Sequence, residues 1–196
     1  MNVEYHSDPY PHVIYDDLFS SEQLEKIWVE IKFFDNRYPD LKHSGIGIKE
    51  NDSYLGNKEA IWLTGCGYLK YHNFDMIKSM KETIYSLDGN QWDPLWIRDL
   101  WRSTNSDETL LCKYNNGDYH ESHRDLSIFT NLIWLRDPTK TFEGGDLYFE
   151  DYSYYTIECK DNRAVSILSS TRHGVTEING EGRYCMSNFM EIFKNR

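Results

Sequence analysis

The chain has 196 residues, 32 of them acidic against 21 basic, for a formal net charge of −11. That length suits one substantial domain that needs no disulfide staples. The acidic balance excludes the clustered Lys and Arg with which proteins grip a nucleic-acid backbone, and so argues against a nucleic-acid partner.

The opening residues "MNVEYHSDPYPHVIYDD" lack the basic and then apolar stretches of a secretory signal, and no apolar run approaches membrane-spanning length. Cys66, Cys112, Cys159 and Cys185 are scattered, with no CxxC or zinc-knuckle spacing. The expectation is a reduced, soluble, cytoplasmic protein with no membrane partner. The sequence does not address oligomeric state.

"PHVIYDDLF" alternates as a strand from about His12 to Leu18. In "SSEQLEKIWVEIKFF", Ser20 and Gln23 are spaced as a capping box, and Leu24, Ile27, Trp28 and Ile31 fall at helical spacing. A polar, glycine-containing segment over residues 35–58 follows, long enough to be a candidate lid; His43 lies in it. "YHNFDMIKSMKETIYSLDG" carries Phe74, Ile77, Met80, Ile84 and Leu87 on one helical stripe, with Gly89 just past its end.

From about Asp93 the pattern becomes short β-prone runs between turn signals. They are "LWIRDLWRS", "TLLCKY", "LSIFTNLIWL", "GGDLYFE", "YYTIEC", "AVSILSS", "GVTEI" and "RYCMSNFMEIF". Eight runs at about ten-residue spacing predict a mainly β (α+β) fold, an antiparallel jelly roll or barrel with the N-terminal helices on the outer face of one sheet. Residues 1–196 read as a single domain, with helical support and the candidate lid over 1–92 and the jelly-roll core over 93–196. Trp92, Trp96 and Trp101 read as core or sheet residues, with Arg98 and Arg102 near them.

The chemistry-bearing stretch is "YNNGDYHESHRDLSIF". His123 and Asp125 form an H-x-D triplet, and residues at i and i+2 of a strand share a face with Cα atoms about 6.6 Å apart. Taken alone, the triplet is either a polar strand end or half of a metal site. His173 follows the apolar run "AVSIL", and Arg183 comes ten residues later. Two His and one carboxylate make the facial triad of non-haem Fe(II) oxygenases, and an Arg can hold the far carboxylate of a dicarboxylic ligand. His120 and Glu121, equally polar, read as surface residues.

Residues from about Leu110 to Phe193 resemble the Fe(II)/2-oxoglutarate-dependent dioxygenases, in particular the prolyl 4-hydroxylase-like branch. The resemblance rests on Tyr114, Gly117 and Tyr119 leading into His123-x-Asp125, then "NLIWL", "GGDLYF", "AVSIL", His173-Gly174-Val175 and Arg183. It implies a double-stranded β-helix, with His123, Asp125 and His173 as catalytic iron ligands. Arg183 would pair with the distal carboxylate of 2-oxoglutarate, Tyr114 would add a hydroxyl hydrogen bond to it, and Ser187 would help. Trp134 departs from the family, standing where many relatives have Tyr. The Glu143-Gly144-Gly145 stretch follows the family pattern and reads as a tight turn.

The resemblance further implies Fe(II), 2-oxoglutarate and O2, with ascorbate an optional addition, and hydroxylation of an unactivated C–H bond with release of succinate and CO2. The first substrate class is a prolyl residue of a peptide or protein. A free amino acid or other small molecule is the alternative, and a non-catalytic jelly-roll binding or sensing module is the competing class. Alkylated-base repair relatives carry a second Arg six residues after the first, where this chain has Phe189.

Overall fold

The computed structural model describes residues 1–37, 55–64 and 73–193. In chain order the first elements are β1 (Asn2–His6), β2 (His12–Asp16), α1 (Ser21–Arg37), β3 (Gly56–Asn57) and β4 (Glu59–Thr64). Next come α2 (Asp75–Ile84), which continues as a 3-10 turn over Tyr85–Leu87, and α3 (Leu95–Ser103). The remaining strands are β5 (Ser106–Tyr114), β6 (Tyr119–His123), β7 (Phe129–Arg136), β8 (Phe142–Gly144), β9 (Leu147–Phe149), β10 (Tyr155–Ile157), β11 (Arg163–Leu168), β12 (His173–Val175), β13 (Ile178–Gly180) and β14 (Arg183–Glu191).

The strands form a seven-stranded sheet in the order β1-β2-β11-β7-β14-β5-β4, a five-stranded sheet in the order β10-β9-β12-β6-β3, and a β13-β8 ribbon. All pairings are antiparallel. This is the jelly roll that the strand spacing predicts.

Period-two alternation builds two cores from the same strands. Ile133, Leu135, Tyr184, Met186 and Met190 face outward and pack with Ile27, Ile31 and Phe34 of α1 and Ile77, Met80 and Ile84 of α2. Their neighbours Leu110, Cys112, Leu132, Trp134 and Cys185 face inward with Leu147 and Phe149 of the smaller sheet. Each fully buried apolar side chain contributes roughly 1.5–3 kcal/mol. The helices therefore cover the outer face of the larger sheet and leave the inter-sheet space to the site. The capping box forms as expected: the Ser20 backbone N–H donates to Gln23 Oε1 at 2.9 Å, and the Gln23 N–H donates to Ser20 Oγ at 3.3 Å.

One expected strand is a helix. "LWIRDLWRS" forms α3, entered through Pro94, with Ile97 and Trp101 buried four residues apart and Trp96 59% exposed. A one-sided apolar stripe at i and i+4 suits a helix lying on the sheet, whereas strand alternation would bury Leu95, which is exposed. Arg98 Nε donates to the Trp92 carbonyl at 2.7 Å, and Arg102 Nε donates to the Asp88 carbonyl at 2.9 Å. Both arginines fasten α3 to the preceding turn.

Conversely, β1, β3, β4 and β6 are strands that the alternation does not reveal, β6 because all five of its side chains carry polar atoms. Of the candidate lid, residues 38–54, His43 included, lie outside the described residues, while Gly56 and Asn57 form the edge strand β3.

Candidate metal centre

β6 delivers His123, and the chain leaves the strand immediately afterwards. Asp125 therefore stands beyond the strand end rather than on a shared strand face. Its position is set by long-range bonds: its N–H donates to the Ser169 carbonyl at 3.1 Å, and Thr130 Oγ1 donates to Asp125 Oδ2 at 2.5 Å. β12 lies beside β6, with His173 paired to His123 across the ladder. The result brings Asp125 Oδ1 within 3.2 Å of His123 Nε2 and Asp125 Oδ2 within 3.4 Å of His173 Nε2. One ligand atom from each of the three residues lies within 4.8 Å of the others, a spacing that one metal ion can bridge.

Both imidazoles are held in one tautomer. His123 Nδ1 lies 2.8 Å from the Glu121 carbonyl, and His173 Nδ1 lies 2.9 Å from the Thr171 carbonyl. A carbonyl only accepts, so each Nδ1 carries the proton and each Nε2 keeps its lone pair for a cation. Burial works against ionising Asp125, but His173 and His123 on either side hold its carboxyl well below the usual carboxylate range. His173 shifts the other way: burial opposes its charge, and the Asp125 carboxylate overcomes that and raises it.

The triad opens into a cavity of about 500 Å³ between the sheets, lined also by Lys58, Tyr114, Trp134, Arg183 and Ser187. Arg183 is 1% exposed, and its guanidinium lies 4.4 Å from the centre of the Tyr114 ring. Its Nη2 donates to the Gly145 carbonyl at 2.8 Å, while among the described residues Nε and Nη1 have no hydrogen-bond partner. A buried guanidinium with two unused donors fits a carboxylate ligand, because leaving such donors empty costs free energy. Tyr114 is buried with its hydroxyl pushed up to about 12, burial being the main cause, so it stays a neutral donor. Ser187 is buried and lines the cavity, its Oγ 3.7 Å from Cys185 Sγ.

Three sequence readings change. His120 is buried, not on the surface: β3 covers it through the Gly56–His120 pairing, and its ring meets His123 edge-on at 4.4 Å. Gly145 does more than make a turn. At φ +73°, it leaves a space in which a Cβ would come within 2.6 Å of Arg183 Nε. Trp134 lines the cavity with an indole N–H that has no partner among the described residues, so a donor remains where a hydroxyl was expected. Thr130, Ser169 and Lys58 carry no sequence signal, because only sheet register brings them to the site.

Cys112, Cys159 and Cys185 are free thiols, and among the described residues no helix is long and apolar enough to cross a membrane.

No protein-family model matches the chain, and no curated protein matches it. Solved structures do. A prolyl-4-hydroxylase from Pseudomonas putida is 13% identical, with 94% of each chain covered and a TM-score of 0.64. A prolyl hydroxylase from Trichoplax adhaerens, in complex with a hypoxia inducible factor oxygen degradation domain peptide fragment, is 14% identical over 92% of this chain and 83% of that one, with a TM-score of 0.63. A 2OG-Fe(II) oxygenase family oxidoreductase from Burkholderia pseudomallei is 12% identical over 93% and 86%, with a TM-score of 0.60. With its jelly roll and its His-Asp-His group, this chain has the fold of the prolyl 4-hydroxylase-like 2-oxoglutarate oxygenases.

Proposed function

We propose that the chain is an Fe(II)- and 2-oxoglutarate-dependent dioxygenase, residues 1–196 acting as one unit, that hydroxylates an unactivated C–H bond. The observation that carries this reading is one cavity holding both the His123–Asp125–His173 group and a buried Arg183 with two unpartnered donors. His123, Asp125 and His173 hold the Fe(II), and Arg183, with Tyr114 and Ser187, holds the distal carboxylate of 2-oxoglutarate. When bound, the iron and its co-substrate supply the oxidising chemistry, with O2 consumed and succinate and CO2 released.

The chain's own part is positional. The carbonyls of Glu121 and Thr171 fix the imidazoles, Thr130 fixes the carboxylate, and the cavity that holds them lies between the two sheets. The proposed substrate is a prolyl residue of a peptide or protein. The cavity reaches solvent past the fully exposed Leu126, next to the metal group, so a chain segment can reach the centre without entering the core. The Trichoplax relative, of the same fold, carries a peptide in its complex.

Under anaerobic conditions, Fe(II) with 2-oxoglutarate should give a metal-to-ligand charge-transfer band that is lost in His123→Ala and His173→Ala. No band, and no succinate formed in air, would sink the enzyme reading. Proline-containing peptides compared with free proline decide the substrate class, and turnover of free proline alone would move it to small molecules.

A further inference from the structure

Lys58 is 7% exposed and lines the metal cavity, yet among the described residues its ammonium makes no ion pair. It belongs to the short link between β3, in the smaller sheet, and β4, in the larger one. Gly56 pairs with His120 and Glu59 with Lys113, so the link delivers Lys58 between His120 and Tyr114. Its Nζ lies 5.8 Å from the centre of the Tyr114 ring, against which the Arg183 guanidinium also packs at 4.4 Å.

A buried, unpaired ammonium is costly, and a second cation on the same ring adds repulsion. β3, which leads into Lys58, pairs with His120, whose ring meets that of His123 at 4.4 Å, whereas Arg183 opens β14 of the larger sheet and is anchored on the Gly145 carbonyl. The two cations therefore enter the cavity from different sides, Lys58 beside the strand that carries His123 and Arg183 from the larger sheet.

We propose that Lys58 is a second co-substrate-binding residue, whose ammonium pairs with the 2-oxo-acid end of 2-oxoglutarate while Arg183 takes the distal carboxylate. The inference rests on the dioxygenase reading above. It makes the site a two-cation cradle for a dianion, with the ligand supplying the charge that Lys58 lacks.

The test is anaerobic calorimetry on the Mn(II)-loaded protein, with 2-oxoglutarate and with 2-oxobutanoate, which keeps the oxo-acid end and lacks the distal carboxylate. Lys58→Met should weaken both ligands by a similar factor, at least tenfold, whereas Arg183→Gln should weaken 2-oxoglutarate alone. Thermal melting supplies a second readout: ligand-free Lys58→Met should melt no lower than the wild type, and 2-oxoglutarate should raise its melting temperature less. Equal binding of 2-oxoglutarate by wild type and Lys58→Met overturns the proposal. So does a loss confined to 2-oxoglutarate, which would put Lys58 at the distal end. If Lys58→Met proves unstable, Lys58→Gln replaces it under the same criteria. Failure of the wild type to bind 2-oxoglutarate would instead overturn the dioxygenase reading itself.

Discussion

Gly145 lies directly against Arg183: its carbonyl accepts Nη2 at 2.8 Å, and its missing side chain leaves the space that the guanidinium fills. Gly145→Ala would place a Cβ 2.6 Å from Nε and 2.7 Å from Cδ, at a φ of +73°. Two losses follow. Backbone strain costs roughly 1–2 kcal/mol of stability, and a displaced guanidinium forfeits a charge-assisted contact worth about 1.5–3 kcal/mol. Binding of 2-oxoglutarate should fall about 10- to 100-fold, measured by calorimetry, while the metal affinity of the triad stays unchanged.

Thr130 is the side chain that orients Asp125, and Ser169 Oγ, 2.9 Å from Thr130 Oγ1, orients Thr130 in turn. Thr130→Val keeps the volume and removes the hydroxyl. Fe(II) affinity should drop about 10- to 100-fold, as is usual when a ligand's supporting hydrogen bond is lost. Thr130→Ser should restore most of it. Metal titration of the three proteins reads the effect, and unchanged affinity in the valine variant would show that Asp125 needs no such support.

His12 gives the stability a pH dependence of its own. It is fully buried, its Nδ1 donates to the Tyr10 carbonyl at 2.7 Å, and its Nε2 has no partner among the described residues. Burial is the main reason its pKa falls from 6.5 to about 4. The unfolded chain then binds a proton between pH 6.5 and 4 that the folded chain refuses. This contribution is present above pH 6.5 and is lost as pH falls towards 4, by up to about 3 kcal/mol. Denaturant titrations should show the wild type losing this much more than His12→Phe across that window; parallel curves would refute the assignment.

The helical form of Leu95–Ser103 makes its two tryptophans unequal. Trp101 packs on Phe129 with ring centres 5.0 Å apart, whereas Trp96 is exposed. Trp101→Ala should cost about 3–5 kcal/mol and Trp96→Ala less than about 0.5 kcal/mol, read from chemical unfolding. Similar costs would refute the one-sided burial of this segment.

Much of the candidate site is legible in the chain because its parts are local. His123 and Asp125 are two residues apart, His173 follows an apolar strand, and Arg183 opens the last one. Of the eight β-prone runs read from Asp93 on, seven hold strands, the exception being "LWIRDLWRS". β6 is absent from those runs because it serves the site: Tyr119, His120, Glu121, Ser122 and His123 offer no apolar face to read.

The amino-acid sequence by itself determined the jelly roll and the residue types of a group that could hold a metal, because alternation and short spacings are properties of the chain alone. Only the tertiary structure decided that Lys58 shares a cavity with Arg183, that Gly145 makes room for that arginine, that Thr130 steadies Asp125, and that Leu95–Ser103 is helical. The first three depend on contacts between residues far apart in sequence, whose distance is set by sheet register. The fourth depends on which face of a short apolar run finds a core to cover it.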